Sequence, residues 1–302
     1  MLRVLPQILA FTLVASLTAS AAYAAQPVEW LERMSHAHRE LSYQGIVTHQ
    51  IEDQLASYRI VHQVIDGREF ERLTPLDSEG SELVRKGHSV NCVHPAERLL
   101  RGVSQKGDFA RYYDLRLEEG ARVAGRDVVT LHIEPRDVFR LGYVISLDAQ
   151  TAIPLKTETV DQRDQVLERF QFMLFELGVA GELNQDDARE VAHHNVVTDQ
   201  EGKPVHPGLS WNPGWVPEGF MLADTADVQS EALSYTDGIS MFSVFMESAN
   251  GVSPPATAVA MRSGATVSYT YPIPDHDLVA TVIGEVPLLT AEQVAKSLVV
   301  PQ

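Results

Sequence analysis

Cysteine and positive charge are both scarce in this chain, and each shortage excludes something. Cys92 is the single cysteine of 302 residues, so no intramolecular disulfide braces the fold. Its place in an apolar–polar alternation (Val90, Cys92) predicts a buried, inert thiol, with an intermolecular disulfide as the other reading. The 24 Lys and Arg face 41 Asp and Glu, for a net charge of −17, which makes nucleic acid a poor partner. The imbalance is uneven. Residues 211–302 contain only Arg262 and Lys296 against ten acids, whereas residues 25–210 hold twenty-one of the cations. Affinity for an anionic lipid or an acidic peptide therefore falls to the first part, unless those charges only solvate strand faces. Long apolar runs are missing beyond the extreme N-terminus. No Gly-x-Ser-x-Gly elbow, phosphate-cradling Gly-rich loop with Lys, or His-Glu-x-x-His is present.

That one apolar run has the anatomy of a secretory signal. Arg3 precedes Val4–Leu17, and Ala22-Tyr-Ala24 offers a small-x-small site before Ala25. Residues 1–24 are expected to be removed, and no cysteine follows to carry a lipid anchor. The mature chain, from Ala25, is long enough for two domains with cores of their own.

From Pro27 the pattern is helical to Leu41, with Trp30, Met34, Ala37 and Leu41 on one stripe and Pro27 in the first turn. His36 and His38 are two apart and are read as surface residues. The period then drops to two. Tyr43–Ile51, Tyr58–Ile65 and Arg68–Leu73 read as strands, with Asp66-Gly67 as a hairpin turn. Short strand patterns follow at 82–86, 89–93, 98–103, 112–117, 127–133, 143–147, 155–160 and 166–177. Too few helices accompany them to cover a parallel sheet, so an antiparallel meander is predicted, with a barrel, half-barrel or sandwich open. Phe170-Gln-Phe-Met-Leu-Phe175 is nearly all apolar, which predicts a strand buried on both sides or lining a cavity. Asn184–His194 ends in His193-His194 among acids but lacks the spacing of a helical zinc site. His88, Cys92 and His94 share strand parity, a weak thiol–imidazole arrangement.

The polar run Asp199–Gly208 reads as a linker. It leads into Trp211-Asn-Pro-Gly-Trp215-Val-Pro-Glu-Gly-Phe220, where prolines exclude helix interior and central strand. Two readings stand: an aromatic plug over a domain core, or a partner surface. Beyond it come strand patterns at 231–235, 240–246, 256–262, 265–271 and 278–283. Thr236-Asp-Gly238 is a hairpin signal, and a helix is predicted from an N-capping Thr290 to Leu298. The fold class is α+β: signal 1–24, a large β domain 25–195, a linker 196–210 and a small α+β domain 211–302.

Several of these stretches together carry a resemblance. Leu41-Ser-Tyr-Gln-Gly45, Tyr112-Tyr-Asp114 and the Tyr143–Lys156 hairpin precede Trp211-x-Pro-x-Trp215-x-Pro-x-Gly-Phe220. Tyr235-Thr-Asp-Gly238 with Phe242-Ser-Val244, and Ile283-Gly-Glu285-x-Pro287, follow. The order resembles the MucB/RseB family over essentially the whole mature chain. The resemblance implies a lipoprotein-carrier-like half-barrel beside a small domain. It also implies a non-enzymatic periplasmic regulator that binds the periplasmic domain of a transmembrane anti-sigma factor (MucA or RseA). Such regulators shield that domain from the site-1 protease and are released by lipopolysaccharide or another envelope lipid. The alternative is a periplasmic lipid or lipoprotein carrier. Trp211, Trp215 and Phe220 are the candidates for the partner or domain junction. Phe170, Phe172 and Phe175 are the candidates for a lipid cavity, although strict alternation keeps all three from facing inward. Arg98 and Arg101, flanking Leu99-Leu100, are the candidates for an anionic headgroup. No cofactor, metal or catalytic residue is expected, and homo-oligomerisation is left open.

Overall fold

A computed structural model describes residues 27–65, 68–77, 83–86, 109–178, 211–223, 232–248, 257–273 and 276–300. The signal segment, Cys92, Arg98, Arg101, His193-His194 and the linker lie outside these residues, as do the strand patterns at 89–93 and 98–103.

Helix α1 (Pro27–Glu40) is placed as its periodicity predicts, and it buries Trp30, Leu31, Met34, Ala37 and His38. His38 corrects the surface reading of that histidine: its ring lies 4.5 Å from that of His62 in the core. His36 is exposed and pairs with Glu40 one turn on. Strands β1 (Tyr43–Ile51), β2 (Gln54–Ile65), β3 (Arg68–Pro75) and β4 (Leu83–Lys86) follow as antiparallel neighbours. Ile65 stands opposite Arg68, flanking Asp66-Gly67, which lies outside the described residues. A single turn, α2 (Phe109–Tyr112), leads into β5 (Tyr113–Val123), β6 (Arg126–Pro135), β7 (Gly142–Asp148), β8 (Pro154–Val160) and β9 (Val166–Leu177). The nine strands run β4-β3-β2-β1-β9-β8-β7-β6-β5. Among the described residues the sheet does not close on itself, so it is a half-barrel.

Two apolar clusters fill this domain. Trp30, Leu31 and Met34 of α1 pack on Leu131, Ile133, Tyr143, Ile145 and Leu147. Tyr43, Val47, Ile60, Leu155 and the three phenylalanines of β9 form the other. All three phenylalanines are buried, contrary to the alternation argument. The reason is a bulge. Ile46 stands opposite Leu174 but Val47 opposite Phe172, so Met173 is an extra residue that resets the parity. Gly45 admits the bulge: a Cβ there would lie 2.1 Å from the Leu174 carbonyl oxygen. Nor is β9 buried on both sides, since Met173 and Leu174 are exposed.

The small domain begins with β10 (Asn212–Pro213) and β11 (Met221–Leu222). It continues with β12 (Ala232–Thr236), β13 (Met241–Ser248), β14 (Val259–Ser263), β15 (Thr266–Pro272) and β16 (Leu278–Gly284). Helix α3 (Leu288–Lys296) and β17 (Leu298–Val299) complete it. The main sheet runs β11-β12-β13-β16-β15-β14, with α3 packed on β15 and β16, while β17 pairs with β10. Helix α3 starts after Pro287, two residues before the predicted cap. Thr290 therefore lies inside the helix, and its hydroxyl is used elsewhere, as described below.

Candidate functional site

The Trp/Pro/Gly loop and the Tyr235–Gly238 hairpin converge on the large domain. At the centre is Arg140, from the β6–β7 connection, whose side chain is wholly buried. Its Nε donates to Asp237 Oδ2 at 2.7 Å, one Nη donates to Asp137, and the other to the backbone carbonyl of Glu218. The guanidinium lies over the rings of Tyr112 and Phe220, at 4.6 and 5.0 Å from their centroids. A buried charge is tolerated only with such complete compensation.

Asp237 uses both oxygens. Oδ2 also accepts from the Tyr113 hydroxyl at 2.9 Å, and Oδ1 accepts the Ile239 and Ser240 amides at 3.0 and 2.8 Å. The last two bonds shape the β12–β13 turn, so the carboxylate that bridges the domains also builds its own hairpin. Burial first, and then the negative charge of Asp237, push the Tyr113 hydroxyl well above its ordinary value, which keeps it a donor. Ile239 at the hairpin tip joins the large domain's own core cluster.

The rim is packed as closely. The Trp215 ring meets Phe139 edge-on at 5.1 Å, and Thr290 Oγ1 donates to the Phe139 carbonyl at 2.9 Å. Gly219 has φ +87°, and a Cβ there would lie 2.3 Å from the Tyr112 ring. Only glycine meets both conditions. The loop is thus shaped by the ring it rests on. Trp211 and Phe220 are buried in the small domain's core, while Trp215 spans the junction.

A second aromatic assembly lies in the large sheet. Phe172 is 5.3 Å from Phe175, 6.1 Å from Phe170 and 6.0 Å from Tyr43. Tyr43 stacks on His62 at 4.6 Å, and His62 Nε2 donates to the His38 carbonyl at 2.9 Å. Arg126 lies over Phe175 at 5.4 Å while making two bonds, of 2.7 and 2.9 Å, to the buried Asp148. Burial alone would raise the Asp148 carboxyl, but the bonds from Arg126 and Thr151 outweigh it and hold the group below the usual carboxylate range. The three predicted lipid residues are therefore brought together, within a close-packed aromatic cluster.

The comparisons with known proteins match both halves of the chain. Residues 26–193 match the MucB/RseB N-terminal domain and residues 206–299 the MucB/RseB C-terminal domain. The chain belongs to the MucB/RseB family. It is 34% identical over 296 residues to the sigma factor AlgU regulatory protein MucB of Pseudomonas aeruginosa, covering 92% of each chain. It is 23% identical over 298 residues to the sigma-E factor regulatory protein RseB of Escherichia coli K12, covering 89% of each. The structure of the Pseudomonas aeruginosa MucA/MucB complex overlays with a TM-score of 0.72 at 32% identity, over 92% of this chain and 100% of that one.

In this member of the MucB/RseB family, three of the motifs that carried the resemblance join the domains: Tyr112-Tyr-Asp114, the Trp/Pro/Gly loop and Tyr235–Gly238. Sequence reasoning found Trp215, Phe220 and the Asp-Gly turn but missed Arg140, Tyr113 and Phe139. Nothing in the sequence singled out Arg140, because a turn aspartate can bond its own turn's amides, as Asp237 does.

Proposed function

We propose that this protein is a non-enzymatic periplasmic regulator of an envelope-stress sigma factor. It binds the periplasmic domain of a MucA- or RseA-like transmembrane anti-sigma factor and shields it from the site-1 protease. Lipopolysaccharide or another envelope lipid then displaces it. The observation that carries the reading is the likeness to MucB along nearly the whole chain, including MucB held in its complex with MucA. In this reading residues 25–195 and 211–302 are the two bodies and 196–210 their linker.

Physically the device is a competition between two ligands. They must occupy one surface or favour different domain arrangements, since a ligand with no differential affinity shifts nothing. The Arg140–Asp237 junction defines one arrangement. A ligand that prefers another must break a buried ion pair to get it. The lipid side of the competition is assigned to the phenylalanine cluster for acyl chains, with Arg98, Arg101 and the cation-rich large domain for phosphate groups. A lipid carrier needs only the large sheet. The closely fitted second domain favours the regulator.

The test is to time cleavage of the anti-sigma factor's periplasmic domain by its site-1 protease, with and without the mature protein, and then to add lipopolysaccharide. Protection that lipid reverses is the expected result. Tight lipid binding without protection would transfer the reading to a carrier.

A further inference from the structure

The small domain's sheet ends on an uncovered edge. All five residues of β14 are exposed, and Met261 and Val259 are 69% and 45% accessible. Register shows which backbone groups are unused. Ser263 faces Thr266 across a two-residue turn, so that pair is hydrogen-bonded, and alternation extends this to Met261–Ser268 and Val259–Thr270. The N–H and C=O of Ala260 and Arg262 therefore point away from β15. The ladder has no bulge and the strand no proline, so among the described residues of this edge the charge of Arg262 is the one edge protection.

The adjoining face is close to uncharged. Met261, Ser268, Ile283 and Ser243 form one row across it, and Val259, Thr270, Thr281 and Phe245 the next. Glu247 is the one charged residue of that face among the described residues.

We propose that β14 is a docking edge for an extended peptide of a partner protein, which adds to the sheet as a seventh strand. The peptide bonds to the backbone of Ala260 and Arg262, sets an apolar side chain beside Met261 and a carboxylate beside Arg262. Three observations select a peptide. The free groups are backbone donors and acceptors in strand register, the specific complement of another strand. The domain's ten acids repel a phosphate-bearing lipid or nucleic acid. Arg262 is one of its two cations and stands on the open edge.

Position supports the same occupant. The β14–β15 tip at Gly264 rests on the large domain, against the Ile51 side chain, the Leu167 carbonyl and the Glu168 carboxylate. A strand added to β14 runs up to that contact and touches both domains. The inference deepens the regulator reading and rests on it, with the periplasmic domain of the anti-sigma factor supplying the strand.

Amide hydrogen exchange on the full mature protein tests this, with and without the periplasmic domain of a MucA-type anti-sigma factor. The Ala260 and Arg262 amides should slow by at least about tenfold on binding, while those of Val259 and Met261, already bonded to β15, should not change. Ala260→Pro removes one outward donor at a position where proline is tolerated. It should weaken affinity roughly three- to tenfold and leave the melting temperature near wild type. Arg262→Glu should weaken binding as well. Binding by the wild type with unchanged exchange, and wild-type affinity in Arg262→Glu, would overturn the docking edge and leave the regulator reading standing. No binding by the wild type at all would remove both. Slowed exchange at Ala260 that follows protein concentration without partner would instead assign the edge to a second copy and overturn the proposal. Should Ala260→Pro unfold, the exchange pattern and Arg262→Glu decide.

Discussion

Arg140 and Asp237 come from different domains, ninety-seven residues apart in the chain, and their side chains meet at 2.7 Å with neither exposed to solvent. A pair of this kind gains little over apolar packing when intact but is costly to halve. Arg140→Met and Asp237→Asn should each destabilise the protein by about 3–5 kcal/mol. The double substitution Arg140→Met/Asp237→Asn should cost less than the sum of the two. Calorimetric unfolding of the three variants measures the coupling, and strict additivity would show that the pair does not join the domains.

The loop that rests on Tyr112 should tolerate no side chain at Gly219. Gly219→Ala combines a left-handed backbone with a Cβ placed into the ring, at 2.3 Å. A loss of about 2 kcal/mol or more is expected. Tyr112→Ala should relieve the clash but not the backbone strain, so the double variant recovers only part of the loss. Melting temperatures report stability and small-angle scattering reports domain separation.

Phe172→Ala should cost about 3–5 kcal/mol, because its ring contacts Phe170, Phe175 and Tyr43 at once. Removing Met173 should cost far less, since deletion leaves Phe172-Leu174-Phe175 in plain alternation, with Phe175 still facing inward and Leu174 still opposite Ile46. Denaturant unfolding compares the two. Fluorescent-lipid titration of Phe172→Asp and Arg101→Glu examines the lipid assignment separately: wild-type affinity in both would end it.

Asp148 makes the stability acid-sensitive. Its folded value is depressed, so its contribution is complete above the unfolded carboxylate value of about 4 and is lost as pH falls through the folded value. Glu158, held below its ordinary range by Lys156 and Arg169 despite burial, acts in the same direction. Unfolding free energy should therefore drop on acidification below about pH 4. Asp148→Asn should be less stable at neutral pH and should show a shallower acid slope.

Strands were the most legible feature of the chain. The bounds of β1 and β9 match the predicted strands residue for residue, because both runs are rich in β-branched and aromatic residues. The bulge at Met173 was not legible, since it is set by the backbone of another strand at Gly45. Thr290 looked like a helix cap, but its best acceptor lies in the other domain, at Phe139. His38 looked like a surface residue because a helix stripe predicts burial only from apolar residues. At the junction, Trp215 and Phe220 were conspicuous by type. Arg140 was not, because an arginine reads as solvated until its partners are known.

The seam between β1 and β9 constrains how the large domain is assembled. Tyr43 pairs with Leu177, so the first strand's partner is the last strand made. Among the described residues, strands β1–β4 and β5–β9 are two runs of local hairpins joined in the sheet along this line. A chain that emerges N-terminus first must therefore hold one edge of β1 unsatisfied until residue 177 has followed. Closure then joins segments more than a hundred residues apart, which places the domain among slow folders. Until then the uncovered edge is open to other chains, and a chaperone that occupies extended segments would shorten that exposure.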